Sequence, residues 1–324
     1  MTHAIRFHKP GGPDVLVWEE VQVGKPGPGQ ARIRHTAVGL NFVDIYNRSG
    51  TYPLPLPSGL GGEGAGVVEE VGPGVSDLKV GDRVAYGAAP LGAYAEARLI
   101  PADRLLKLPE GIDDKTAAAM MLKGLTVQYL IRQTYRVKAG DTILLHAAAG
   151  GVGQILSQWA KHLGATVIGT VGNDEKAALA RAHGCAHTIV YSREDFVKRV
   201  EQITEGKKVP VVYDSVGKDT FLKSLDCLAP LGVVALFGQS SGGVEPLNLG
   251  LLAQKGSLFV TRPTLNTYAA KSENLRAMAK ELFEVVASGA VKINVNQTYP
   301  LKDAAKAHAD LAARKTTGST VLLV

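Results

Sequence analysis

GDTILLHAAAGGVGQILSQWAKHLG, residues 140 to 164, decides the fold. Its first part holds an apolar run, Thr142 to Leu145, and its last part spaces apolar residues as a helix does. Between them, "HAAAGGVGQ" spends three glycines, residues that lose more conformational freedom on folding than any other. A strand that becomes a helix across so many positions without side chains brings its backbone close to something. Ala148, Gly150 and Gly153 fit G-x-G-x-x-G with alanine in the first place, a turn that lets a pyrophosphate approach the positive end of the following helix. A tight turn with close helix-strand packing and no ligand is the alternative. The place of the turn, after a strand and at the head of a βαβ series, supports the ligand.

Working outward, the apolar runs TVIGTV (166–171), HTIVY (187–191), VPVVYD (209–214) and VVALFG (233–238) follow at intervals of about twenty residues. Helical stretches such as DEKAALARAHG (174–184) separate them, so a parallel, doubly wound sheet is expected, closing at SLFVTRP (257–263) where Pro263 ends a sixth strand. Residues 1 to about 120 instead carry short alternating segments between Pro and Gly, as in ARIRHTAVGL (31–40) and GDRVAYG (81–87), which predicts an all-β domain, a barrel or sandwich. DDKTAAAMMLKGLTVQYLIRQT (113–134) bridges the two as one or two helices. The last sixty residues hold the helix SENLRAMAKELFEVVASG and the terminal strand STVLLV. That tail has no evident sheet partner of its own and is expected to return to the first domain. The expected division is 1–124 completed by 265–324, and 125–264.

The chain has 324 residues, 45% of them hydrophobic and 20% charged, with no apolar run long enough to span a membrane. Its opening, MTHAIRFHKPGGP, lacks an apolar signal core, and Cys185 and Cys227 are too few for a disulfide framework, so a cytoplasmic protein is expected. The net charge of +6 is scattered, with no run of five basic residues, which argues against a nucleic-acid site. HGCAH (183–187) puts two histidines and a cysteine close together, but Gly184 should end a helix there and turn them apart, so no metal site is expected.

An NAD site usually ends its second strand in an acid that grips the ribose hydroxyls. Here Thr170 and Val171 run into Gly172 and Asn173 without a carboxylate, which leaves room for a phosphate held by Lys176 and Tyr191. NADPH is the expected cofactor. Asp174 and Glu175 keep an alternative open as a displaced acid, although Asn173 or Asp174 also suits a helix cap.

The same turn, with HKPGGPDVL, GLNFVDIYNRSGTYP, LKGLTVQYL, VVYDSVGKDTF, FGQSSG and YPLKDAAKAH in order along the chain, resembles the zeta-crystallin-like quinone oxidoreductases, a zinc-free branch of the medium-chain dehydrogenase/reductase superfamily. The resemblance implies a GroES-like β domain, a Rossmann domain and a homodimer, with the exposed edge strand near GSLFVTRP pairing across a two-fold axis. In the zinc enzymes of that superfamily a Cys precedes an Asp by a few residues and "GHE" supplies a His ligand. Asn41 and Gly62 stand in those places here, and neither completes a catalytic zinc site.

Without that Lewis acid, the acceptor must take hydride with little help, as quinones do and conjugated enones nearly do. The protein then has to hold ring against acceptor in a cleft with little water. By resemblance, Asn41, Phe42, Val43 and Asp44 sit at the nicotinamide end with Tyr46 and Tyr52. Asn41 and the two tyrosines are the catalytic candidates, and loop packing is the plain alternative for the tyrosines. The family also implies cofactor contacts from Lys123, Thr126 and Tyr129, and from Gly150, Gly151, Val152 and Gly153. Ser215, Phe237, Gly238, Gln239 and Ser240 fall where a doubly wound sheet opens its crevice. Phe259, Val260 and Thr261 are expected to flank the nicotinamide, and Arg314, placed in the last helix, to reach the cofactor from the tail. No Ser, His and acid arrangement is visible. The expected function is NADPH-dependent quinone reduction. Its alternatives are an enone or alkenal reductase, which needs a proton donor beside the α carbon, and an NADPH-binding structural or RNA-binding protein.

Overall fold

Alternating burial in the first third of the chain builds β1 (Thr2–Phe7), β2 (Val17–Val21) and β3 (Gln30–Leu40), then α1 (Phe42–Ser49). The computed structural model describes residues 2–324 and continues with β4 (Ser58–Gly59), β5 (Gly64–Val71), β6 (Arg83–Tyr86), β7 (Ala97–Pro101), β8 (Leu106–Lys107) and α2 (Asp114–Tyr129). From there strands and helices alternate: β9 (Thr142–Leu145), α3 (Gly151–His162), β10 (Thr166–Val171), α4 (Asp174–Ala182), β11 (His187–Val190) and α5 (Phe196–Ile203). They are followed by β12 (Val209–Asp214), α6 (Phe221–Ser224), β13 (Leu228–Leu236), α7 (Gly250–Gln254), β14 (Phe259–Thr261) and α8 (Leu265–Tyr268). The tail adds α9 (Ser272–Ala287), β15 (Val295–Pro300), α10 (Ala304–Ala312) and β16 (Ser319–Leu323).

One compact unit runs to Leu125 and takes in Tyr268–Ala287 and Ile293–Val324. A seven-stranded sheet forms it, in the order β15-β16-β3-β5-β6-β8 with β7 also on β3, beside a three-stranded sheet β2-β1-β4. On β3, Ala31, Ile33, His35 and Ala37 point inward while Arg32 and Arg34 reach out to Glu69, so alternation sets which face is buried. Ile5, Phe7, Ile33, Val68, Ile100 and Leu322 share its core.

Two features depart from the sequence reading of this unit. It is not all β: Asn41 leaves the strand in extended backbone and its N–H donates to Asp44 Oδ2 at 2.9 Å, which starts α1 among the turns. The tail also has a sheet partner of its own, because β15 pairs in parallel with β16 before β16 joins β3. Polar Asn296, Gln297 and Thr298 disguise that strand, and Gln297 Nε2 donates across it to Thr317 O and Ser319 O.

The second unit is Thr126–Thr267 with Ser288–Lys292, a short piece of the tail that the sequence reading assigns to the first domain. Its six strands, ordered β11-β10-β9-β12-β13-β14, are parallel throughout. Counted along this unit the order is 3-2-1-4-5-6, which is doubly wound and opens its ligand crevice at the carboxyl ends of the strands. Leu144, Ile168, Ile189, Val212, Val234 and Leu258 fill its core.

Candidate active site

At the carboxyl end of β9 the glycine turn has two separate demands. Gly150 caps α3, whose first i→i−4 bond runs from Gln154 N–H to Gly150 O at 2.9 Å, so the amides of Gly151, Val152 and Gly153 lie ahead of it at the positive helix end. Gly153 answers to packing. A Cβ there would lie 2.5 Å from Ala147 O and 2.6 Å from Ala148 O. The alanine in the first fingerprint place is absorbed by β10, where a Cβ on Gly169 would stand 2.7 Å from Ala148 Cβ.

At the tip of β10, Asn173 Oδ1 accepts the Lys176 N–H at 2.9 Å, so Asn173 rather than Asp174 caps α4. Asp174 is taken by a residue the sequence reading missed: Arg193 donates to both its oxygens, at 2.6 and 2.5 Å, and holds its carboxyl below the usual range. Gly172 faces Tyr191, whose hydroxyl would be 3.4 Å from a Cβ there. Further along the crevice, Ser240 N–H donates to Ser215 O at 3.1 Å and Gly238 packs against Ser215, which joins the loops after β12 and β13 and sets Phe237 and Gln239 beside them. Thr261 ends β14, the outer strand, with Phe259 58% and Val260 38% exposed.

In the first unit, Asn41, Asp44 and Lys123 meet around a buried acid, Glu63, whose partners the sequence reading did not identify. Glu63 Oε2 accepts Asn41 Nδ2 at 2.7 Å and Lys123 Nζ at 3.1 Å, and Oε1 accepts the Leu122 N–H at 2.8 Å. Gly39 makes the room, since a Cβ there would overlap the Glu63 carboxylate. A second chain reaches Asp44. Arg48, which can only donate, lies 3.5 Å from His308 Nδ1; His308 Nε2 is 3.1 Å from Tyr94 Oη, and Tyr94 donates to Asp44 Oδ2 at 3.1 Å. Burial pushes Asp44 up to about 7, drives His308 down to about 3, and raises Tyr94 well above the usual phenol.

Phe42 and Tyr46, four residues apart on α1, stand 5.3 Å ring to ring, and Tyr46 stands 5.1 Å from Tyr52 at 63°. All three rings are half-buried, as is Val43. Thr126 and Tyr129 are buried further along α2. Arg314 is not helical: α10 stops at Ala312, and Arg314 sits in the following turn at φ 59° with its N–H on Leu311 O. His183 Nδ1 turns back to Leu179 O and Cys185 Sγ to Ser157 Oγ, while His187 opens β11.

His146, Ser224 and Asp214 do meet, an arrangement invisible in sequence because His146 lies 78 positions from Ser224, although Asp214 is only ten away from that serine. The acid contacts the serine, not the imidazole, and all three are buried, so this is not a nucleophilic triad.

The buried histidines set an acid limit. His35, its ring between Ala95 O and Tyr86 Oη, is also driven to about 3 by burial. The unfolded chain takes up protons at these histidines near pH 6.5 and the folded chain refuses them until about 3, so the stability they confer is complete above 6.5 and lost as pH falls toward 3. Asp44 runs the other way: the folded chain keeps its proton between 3.8 and about 7, so that contribution is lost as pH rises through this window. Replacing His308 with Gln should flatten the acid arm by one proton, about 1.4 kcal/mol per pH unit between pH 4 and 6 in urea titrations. An unchanged slope contradicts the assignment.

The donors at the start of α1 do not fit zinc. Asn41 spends its amide on Glu63, Gly62 has no side chain, and among the described residues no three His, Cys, Asp or Glu gather for one ion. No helix among them is long and apolar enough to cross a membrane.

Residues 27–110 match the alcohol dehydrogenase GroES-like domain family and residues 151–284 the zinc-binding dehydrogenase family. A quinone oxidoreductase of Pseudomonas aeruginosa is 58% identical, with the whole of both chains covered. A 2-haloacrylate reductase of Burkholderia is 53% identical over all of this chain and 99% of its own. The crystal structure of the Escherichia coli quinone oxidoreductase complexed with NADPH superposes with a TM-score of 0.98 at 51% identity, both chains fully covered. With such identities over its whole length, and with the fold and glycine turn described above, the chain belongs to the quinone oxidoreductases of the medium-chain dehydrogenase/reductase superfamily.

Proposed function

We propose that this chain reduces quinones with NADPH, without a metal ion, as a cytoplasmic homodimer. One observation carries this above the others. The place where zinc dehydrogenases keep ligands is closed by Asn41, Glu63 and Lys123, and beside it stands an aromatic ladder, Phe42 and Tyr46 from α1 and Tyr52 from the bend that follows it. A flat, electron-poor acceptor suits such rings and needs no Lewis acid.

The residues present also fit NADPH. Gly150, Gly151, Val152 and Gly153 would hold the pyrophosphate at the head of α3, and Asn173, Lys176 and Tyr191 the 2′-phosphate, with Gly172 giving it room. Arg193 cancels the Asp174 charge that would repel this phosphate. NADPH supplies the hydride when bound. Ser215, Phe237, Gly238, Gln239 and Ser240 shape its crevice. Glu63 fixes the Lys123 ammonium and the Asn41 amide so that neither has to reorganise. Tyr46 and Tyr52 orient the acceptor, and the hydroquinone anion left by hydride transfer takes its one remaining proton from water.

A second reading, an alkene reductase for conjugated acceptors, has the support of the 53% identical 2-haloacrylate reductase. It would give a Tyr46 or Tyr52 hydroxyl the duty of protonating carbon.

For the cofactor, Lys176→Ala should raise the NADPH KM by about tenfold to a hundredfold, the weight of one charge-assisted phosphate bond. NADH should be unaffected, since it lacks that phosphate. Equal losses for both would mean that Lys176 holds something else. The dimer is argued from β14, an exposed apolar edge that a second copy would cover strand to strand. A monomeric mass in sedimentation would contradict it. Two free, buried cysteines accord with the reducing cytoplasm.

A further inference from the structure

Behind the glycine turn lies a buried imidazole that the proposed chemistry does not use. His146 Nδ1 is 2.8 Å from Thr170 Oγ1, and Nε2 is 2.9 Å from Ser224 Oγ. Ser224 Oγ in turn is 2.9 Å from Thr220 O and 3.3 Å from Asp214 Oδ2. Asp214 accepts the backbone N–H of Val216 at 2.8 Å and of Gly217 at 3.0 Å, and both its oxygens accept the Thr220 hydroxyl. Phe196 from α5 closes the remaining side, its ring edge-on at 5.1 Å.

These contacts settle the direction of the chain. The single Ser224 proton has only acceptors before it, the Thr220 carbonyl and the Asp214 carboxylate, so Ser224 Oγ must accept from His146. Nε2 therefore carries the imidazole proton and Nδ1 accepts the Thr170 hydroxyl. Burial lowers the imidazole pKa against the pull of Asp214, in keeping with a neutral ring.

What the chain joins gives it meaning. His146 precedes Ala147, held at φ 55°, and the turn to Gly153; Thr170 precedes Val171 and Gly172; Asp214 ends β12 just before Ser215. The three strand ends lead into the pyrophosphate turn, the phosphate-accepting tip and the loop toward the nicotinamide, on the NADPH reading, which this inference rests on. We infer that His146 is a positioning residue: as a neutral Nε2–H imidazole it ties the ends of β9, β10 and β12 together, so that the cofactor surface is formed before NADPH arrives. Preorganisation of this kind raises affinity by removing an ordering step.

Thr170→Val removes the donor to Nδ1 and keeps the branched shape a strand prefers; Thr170→Ser restores it. Calorimetric titration of the full-length protein with NADPH and with NADH, with thermal unfolding in the absence of either, provides the readout. Thr170→Val should weaken both nucleotides by the same factor, about tenfold. Thr170→Ser should bring both back to within about twofold of wild type. Nitrogen-15 NMR of the nucleotide-free protein should show His146 neutral and protonated on Nε2. Unchanged affinity in Thr170→Val with lowered thermal stability would reduce the chain to packing and overturn the inference. So would a His146 protonated on Nδ1. Wild-type protein that binds neither nucleotide would sink the NADPH reading, and this inference with it; wild type that binds while Thr170→Val binds equally well would sink this inference alone.

Discussion

Gly153→Ala should abolish measurable NADPH binding, weakening it by about a hundredfold or more, and should lower stability by roughly 2 kcal/mol. The added carbon has nowhere to go: two backbone carbonyls, those of Ala147 and Ala148, stand 2.5 and 2.6 Å from its position, and neither is the end of a flexible side chain. Either α3 retreats from β9 or the turn opens, and both move the amides of Gly151 and Val152. Gly150→Ala is the informative control. Its Cβ would meet only Ala147 O, at 3.3 Å, so the fold should survive, while the extra carbon stands in the fingerprint place where the backbone must approach the pyrophosphate. Loss of binding in both variants, with loss of stability in Gly153→Ala only, is the expected pair. Tight NADPH binding by Gly153→Ala would mean that the turn is a packing device.

Lys123→Met should destabilise the protein by about 3 to 5 kcal/mol, because it leaves the Glu63 carboxylate buried without its countercharge. Asn41 Nδ2 and the Leu122 N–H still reach Glu63, but neither brings a charge. Replacing both partners, Glu63→Gln with Lys123→Met, should recover most of the loss, since a neutral amide needs no ammonium beside it. Urea unfolding of the two single variants and the double variant measures the coupling. A loss below about 1 kcal/mol in Lys123→Met would place the pair among weak surface bridges, against its burial.

The second unit was legible because each of its signals is local. Five apolar runs, glycine punctuation and helical spacing between them lead to a parallel sheet, and Pro263 marks where it stops. α1 escaped because it spans eight residues between turns, and its start rests on one contact between Asn41 and Asp44. β15 escaped because its half-buried face, Val295, Gln297 and Tyr299, has a polar residue at its centre, and Asn296 and Thr298 on either side of it leave no apolar run. At the site, Lys123 and Asn41 came from resemblance, but Glu63, which fixes them, lies 60 and 22 positions away along the chain. Tyr94 and His308 are 214 positions apart and touch at 3.1 Å. Such pairs leave no periodicity, and a lone histidine in AAKAHAD looks like any other polar residue in a helix. Arg193 was within reach, since YSRED follows the third strand directly and a basic residue there faces the tip of the second.

The most direct measurement follows the loss of NADPH absorbance when purified protein meets a small benzoquinone, an ortho-quinone or a conjugated enone, with NADH in parallel. Rapid consumption of NADPH with a quinone, and little of NADH, is the predicted result. Consumption with the enone alone would make the protein an alkene reductase, and tight NADPH binding with no consumption by any acceptor would contradict an enzymatic role and leave a structural or RNA-binding one.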